Sequence, residues 1–174
     1  MTTRHQVHKW LIYALALALV WFAEAMVLWR VPFFGVIPVL LPLAAVAVAF
    51  WEGARLGAVF GLCVGILADA IYPGTPGGMT LGICLMGLVT GAASQYGVRQ
   101  TYLGYLLCAG ASMAALELCR VAGGLLTQLG SLEALMLVAL KEGAWSLCFT
   151  VGIYPLFKLV YSRVGGDKLE VRHG

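Results

Sequence analysis

The segment from Arg55 to Gly91, RLGAVFGLCVGILADAIYPGTPGGMTLGICLMGLVTG, leaves this chain few choices of fold. Two apolar runs flank YPGTPGG, an uncharged turn with two prolines. Gly57, Gly61 and Gly65 recur every fourth residue in the first run, and Asp69 follows at the same interval. On a helix this spacing strips one face of side chains, so that another backbone can come close. The second run carries Gly82, Gly87 and Gly91. Asp69 closes the glycine face inside apolar sequence, where an ionisable group is costly unless it has a partner or a task. The pattern reads as a membrane-embedded helical hairpin with one buried acid.

The rest of the chain agrees with a lipid solvent. Of 174 residues, 61% are hydrophobic and 11% charged, with mean hydropathy +0.93. A soluble domain of this length carries about 25% charged residues. An all-α, polytopic transmembrane helical bundle is therefore expected, its length spent on spans with no room for a separate soluble catalytic domain. Cys63, Cys84, Cys108, Cys119 and Cys148 all lie in apolar runs and form no CxxC, so they read as helix-packing residues.

Six spans are expected, at about 10–29, 36–51, 56–72, 79–96, 101–126 and 134–160. Residues 1–9 form a basic cytoplasmic N-terminus, 10–161 the membrane domain and 162–174 a cytoplasmic tail. Ala23-Glu24-Ala25 resembles a signal-peptide cleavage site, but the hydrophobicity continues past it. The run 36–51 is short; Pro38 suits a first helical turn and Pro42 kinks the start. Pro155 supplies a kink in the last span. With both termini inside, the inner side holds Arg4, Lys9, Arg55, Arg99, Lys158, Arg163, Lys168 and Arg172, and the outer loops only Arg30. That asymmetry follows the positive-inside rule. Trp10, Trp51, Tyr96, Tyr102 and Tyr161 then fall near the inner interface, and Trp29 and Tyr72 near the outer one.

Six ionisable residues lie within the spans: Glu24, Asp69, Glu117, Arg120, Lys141 and Glu142. Counting about 1.5 Å per residue puts all six in the outer half of the bilayer. Shared depth lets them meet, so an outer-half polar network is expected in which Arg120 and Lys141 neutralise some of the four acids. Such a network serves to fix helix register, to receive a partner's membrane segment, or to conduct a proton or cation.

Catalytic chemistry finds little footing. His5, His8 and His173 all sit in the flanks, the only Asp besides Asp69 is Asp167 in the tail, and Ser94, Ser112 and Ser146 have no histidine within the spans. No cofactor or metal is expected, no nucleic-acid footprint exists in the scattered basic flanks, and membrane lipid is the expected surrounding. The glycine faces at Gly57, Gly61 and Gly65 and at Gly87 and Gly91 either pack the hairpin internally or dock a partner helix. Ala14 and Ala18 form another small pair in the first span.

The hairpin resembles the MreD family of rod shape-determining membrane proteins. The likeness is carried by Gly57-x-x-x-Gly61-x-x-x-Gly65-x-x-x-Asp69, by Pro73-Gly74-Thr75-Pro76-Gly77-Gly78 and by a glycine-bearing helix ending at Gly91. Gly35-Val36-Ile37-Pro38 and the apolar run to Trp51 and Gly53 extend it upstream. Val39 stands where family members often carry Asp, and Met79-Thr80 where they often carry Asn. The resemblance implies a non-catalytic scaffold of the bacterial cytoplasmic membrane. Its expected partner is an MreC-like single-span protein, with wider links to MreB, RodA and penicillin-binding protein 2. The family is also similar in architecture to the substrate-binding S components of energy-coupling-factor vitamin transporters. A transporter subunit that takes a small ligand from the outer side is therefore the alternative.

Overall fold

The computed structural model describes residues 3–27, 38–71, 77–98, 100–126 and 131–164. Every element among them is helical: α1 (Thr3–Phe22), continued by a π-helical turn (Ala23–Val27), α2 (Leu41–Glu52), α3 (Ala54–Ile71), α4 (Gly78–Tyr96), α5 (Tyr102–Leu126), α6 (Leu132–Cys148) and α7 (Thr150–Val164). Trp29, Arg30, Tyr72, Arg99, the first five residues of YPGTPGG, the loop around Gln128 and the tail from 165 lie outside the described residues.

Among the described residues, four helical segments are long and apolar enough to cross a membrane: Val7–Met26, Ala54–Ile71, Gly78–Tyr96 and Tyr102–Leu126. The pair α6 and α7 makes a fifth if its 47° bend lies within one span. The expected second span is the exception. Its helix has 12 residues, about 18 Å of rise, and it starts only at Leu41. Pro38 precedes it as non-helical chain, and Pro42 takes the first helical turn, where a missing N–H costs nothing.

That short helix is the centre of the molecule. Leu41 to Trp51 are all buried, and α2 touches α1, α3, α4, α5 and α7. A helix apolar all round has no polar face to offer, so burial on all sides is the arrangement that suits it. Ala44, Ala45, Ala47 and Ala49 keep it slim, and Phe50 and Trp51 fill the space at its C-terminal end. Phe50 stands edge-on to Tyr105 at 5.9 Å, Trp51 stacks on Tyr161 at 5.4 Å, and Tyr154 lies against both Trp51 and Tyr105. Trp51 therefore belongs to the interior rather than to an interfacial belt, because α2 is enclosed by its neighbours.

With α6 and α7 taken together as one bent segment, successive helices alternate in direction. At one end Lys9 Nζ meets Glu52 Oε2 at 2.5 Å and Tyr13 donates to Glu52 Oε1 at 2.7 Å, joining the early part of α1 to the end of α2. Trp51 on Tyr161 brings the end of α7 there too. Gly91, late in α4, backs on Gly53 and Ala54 at the start of α3. At the other end, Glu24 reaches the start of α2, Asp69 the start of α4, and Gly124 packs on Leu135 of α6.

The expected bend at Pro155 falls elsewhere. The chain breaks at Phe149, between α6 and α7, and Pro155 sits inside α7. At the break the Thr150 hydroxyl donates to the Leu147 carbonyl at 2.6 Å, and the Phe149 N–H to the Ser146 carbonyl at 3.1 Å. These bonds satisfy carbonyls that an interrupted helix would leave orphaned in lipid.

Candidate functional site

The polar side chains inside the bundle act chiefly as staples, and two of them hold helix starts. Glu24 lies in the π-helical turn, where an extra residue per turn re-aims side chains. Its Oε2 accepts from the N–H groups of Leu40 and Leu41, each at 3.2 Å. The preceding N–H, of Val39, donates to Ser146 Oγ at 2.9 Å. The buried start of α2 thus finds acceptors on α1 and α6. The carboxylate also faces the positive end of the helix dipole.

Asp69 does the same for α4. Its Oδ1 accepts from Met79 N–H at 3.2 Å, and its Oδ2 from Thr80 N–H at 3.1 Å and Thr80 Oγ1 at 2.5 Å. Gly77, with φ of 82°, turns the chain into the helix in the left-handed region that glycine tolerates. A side chain at the end of α3 therefore caps its hairpin partner from a distance. The Thr80 hydroxyl supplies a polar group at this turn.

The third staple is ionic. One guanidinium nitrogen of Arg120 lies 3.0 Å from Glu117 Oε1, one turn away on α5, and 2.7 Å from Glu142 Oε1 on α6. Both glutamates are buried and Arg120 is partly exposed. This pairing holds α6 to the bundle, since Glu142 and Ser146 are the buried residues of that helix.

The expected single network is thereby divided. Arg120 pairs with Glu117 and Glu142, while Glu24 and Asp69 receive backbone N–H groups at two separate helix starts. Lys141 is exposed and makes no ion pair among the described residues. Depth follows from residue number, but direction around each helix axis does not, and direction decides which charges meet.

The glycine faces also find their partner within the chain. A Cβ on Gly61 would lie 2.6 Å from the Ile83 carbonyl oxygen, and one on Gly57 would lie 2.7 Å from that of Gly87. Gly65 backs on Thr80, Gly87 on Gly57, and Gly91 on Gly53 and Ala54. Of the two readings of the glycine faces, internal packing or docking of a partner helix, internal packing is the one that the contacts at these five glycines match. The face packs against α4 and, at Gly57, also against Ala49 of α2.

Several bonds lay outside the sequence reading. Lys9, Tyr13 and Glu52 form a polar cluster at the end of α2; Lys9 and Glu52 lie at the same depth on adjacent passes, and that was the available signal. Ser146 and Thr80 could be found only from the start of the helix each one serves. Thr90 Oγ1 and Ser112 Oγ lie 3.2 Å apart between α4 and α5, and the Ser94 hydroxyl donates to the Gly91 carbonyl at 2.9 Å. A groove of about 440 Å³ runs between α5 and α6, lined by Gly110, Ala114 and Glu117 on one side and Ala139, Gly143 and Leu147 on the other.

Fold and staples together define an all-helical protein with several apolar helices, compatible with a multi-pass membrane protein. Comparison with protein-family models, with curated proteins and with solved structures finds no match to this chain.

Proposed function

We propose that this protein is a non-catalytic scaffold of the MreD type in the bacterial cytoplasmic membrane, serving the cell-elongation machinery that builds a rod-shaped wall. The observation that carries the reading is the α3–α4 hairpin. The residues that bear the family resemblance, Gly57, Gly61, Gly65 and Asp69, are those that close its backbone contact and cap its second helix. Ser112 and Ser146 bond across helices, Ser94 bonds to the backbone of its own helix, and the buried acids hold helix starts or an ion pair, as suits a scaffold. In this reading the chain makes six crossings with both termini cytoplasmic. The second crossing combines non-helical chain before Leu41 with the short α2, and the Lys9–Glu52 end faces the cytoplasm. An MreC-like single-span protein is the direct partner, with MreB, RodA and penicillin-binding protein 2 beyond it.

Depletion tests the reading. Cells that lose this protein are expected to round up and to regain rod shape on re-expression. Depleted cells that keep their shape while losing uptake of a vitamin would instead establish the energy-coupling-factor alternative. The groove between α5 and α6 favours that alternative in one respect, since about 440 Å³ lies within the range of small-ligand sites.

A further inference from the structure

Lys141 and the Arg120 staple carry formal charges that are not matched to each other among the described residues. Two carboxylates, Glu117 and Glu142, share a single guanidinium, which leaves the cluster one formal negative charge in excess. Lys141 carries the compensating positive charge but is turned away from it. Adjacent residues on a helix point about 100° apart, so while Glu142 faces Arg120, Lys141 faces outward. It is exposed on a ridge with Leu137 and Cys148, both exposed and on the same helix face, while Ala144 at the edge of the ridge also lines the groove between α5 and α6. Snorkelling offers little relief. Lys141 lies nine residues from the start of α6, about 14 Å along the axis, and its other flank leads deeper into the membrane.

We propose that two copies of this chain associate through α5 and α6, each placing its Lys141 against the Glu117-lined groove of the other. A two-fold axis along the membrane normal preserves depth, so a lysine level with Glu142 in one copy is level with the Arg120 cluster of the second. Such an axis makes the contact reciprocal. The groove suits a helix ridge: Gly110, Ala114, Ala139 and Gly143 leave its walls low enough for close approach. The complementary charge sits on this chain at the matching depth, which makes a second copy the occupant. The inference stands on the packing of α5 and α6 and on α6 with α7 forming one membrane span, and does not rest on the scaffold reading.

The test is subunit counting by single-molecule photobleaching in phosphatidylethanolamine–phosphatidylglycerol liposomes, across falling protein-to-lipid ratios. The wild type is expected to pass from dimer to monomer. Lys141→Ala should weaken the dimer by roughly 5- to 30-fold, the worth of one interhelical polar contact in a membrane. Lys141→Arg should restore it. Ala114→Trp, which fills the groove from the α5 side, should abolish it. Leu85→Ala, on the exposed face of α4, should leave it intact. Thermal melting of each variant controls for folding. Lys141→Ala removes an exposed, unbonded side chain, so its fold is expected to be unchanged. A wild type that stays monomeric at every ratio overturns the proposal, as does a dimer that both Lys141→Ala and Ala114→Trp leave unchanged. A monomer whose groove holds another protein's helix or a stoichiometric small ligand, released by Ala114→Trp, overturns it as well.

Discussion

Asp69 shows how one side chain can fix a helix boundary within a membrane. The first N–H groups of a helix have no partner in the helix, and lipid offers none. Asp69 takes two of them, from Met79 and Thr80, along with the Thr80 hydroxyl. Asp69→Ala is therefore expected to destabilise the protein by about 1–3 kcal/mol, the cost of leaving such donors unsatisfied. Asp69→Asn, which keeps one acceptor oxygen, should lose less, and Thr80→Val less again. Thermal unfolding in detergent or nanodiscs ranks the three. An order in which Asp69→Ala is the mildest would remove the capping role. Glu24 obeys the same logic at the buried start of α2, so Glu24→Gln is expected to be milder than Glu24→Ala. Arg120 differs in kind, because its removal leaves two buried carboxylates facing each other. Arg120→Ala is expected to be more damaging than the triple change Arg120→Ala, Glu117→Gln, Glu142→Gln, despite the fewer substitutions.

At the scale of elements, the hairpin is a contact between backbones. The nearest atoms to a Cβ on Gly61 are the Ile83 carbonyl oxygen at 2.6 Å and the Cys84 Cα at 3.1 Å. Neither is a flexible side-chain tip that can move aside. Gly61→Leu is expected to part α3 from α4 and cost at least about 1–3 kcal/mol of packing. Gly152→Ala, with open space around it, should be neutral or slightly stabilising through helix propensity. Proteolysis and melting of the two variants check the contrast. This hairpin was legible in the sequence because glycine spacing, a terminal acid and a proline–glycine turn are local signals along the chain. The position of α2 was not. In a soluble helix the apolar stripe points inward, but in a membrane protein both lipid-facing and core-facing sides are apolar, so hydropathy does not separate centre from rim. The run 36–51 was recognised as apolar and short, whereas its enclosure by five neighbours depends on long-range packing. The bend before α7 escaped for a related reason. Pro155 is visible in the sequence, but the chain gives way at Phe149, where the Thr150 hydroxyl takes up the Leu147 carbonyl.

For the whole molecule, the pairings of helix ends organise the charge. Lys9, Glu52, Tyr161 and the start of α3 share one end, close to Arg55. The starts of α2 and α4 share the other. In the six-crossing reading the first end is cytoplasmic. A cysteine placed at Gly97 on a background lacking the native cysteines should then react with a membrane-impermeant thiol reagent only from the inner side of the membrane. One at Gly77 should react only from the outer side. Labelling of both positions from one side would break the proposed topology. Around this frame, the buried polar groups settle helix starts and hold helices together, leaving the exposed ridge and groove of α5 and α6 for association.

The central claim is that this chain is a scaffold for a wall-elongation partner. Mild purification of the tagged protein from its native membranes, followed by native mass spectrometry of the intact complex, tests it most directly. The account predicts a stoichiometric single-span, MreC-like protein, retained by wild type and reduced when Asp69→Ala disturbs the hairpin. A complex holding one bound vitamin per chain together with transporter ATPase subunits, and no single-span partner, would contradict it.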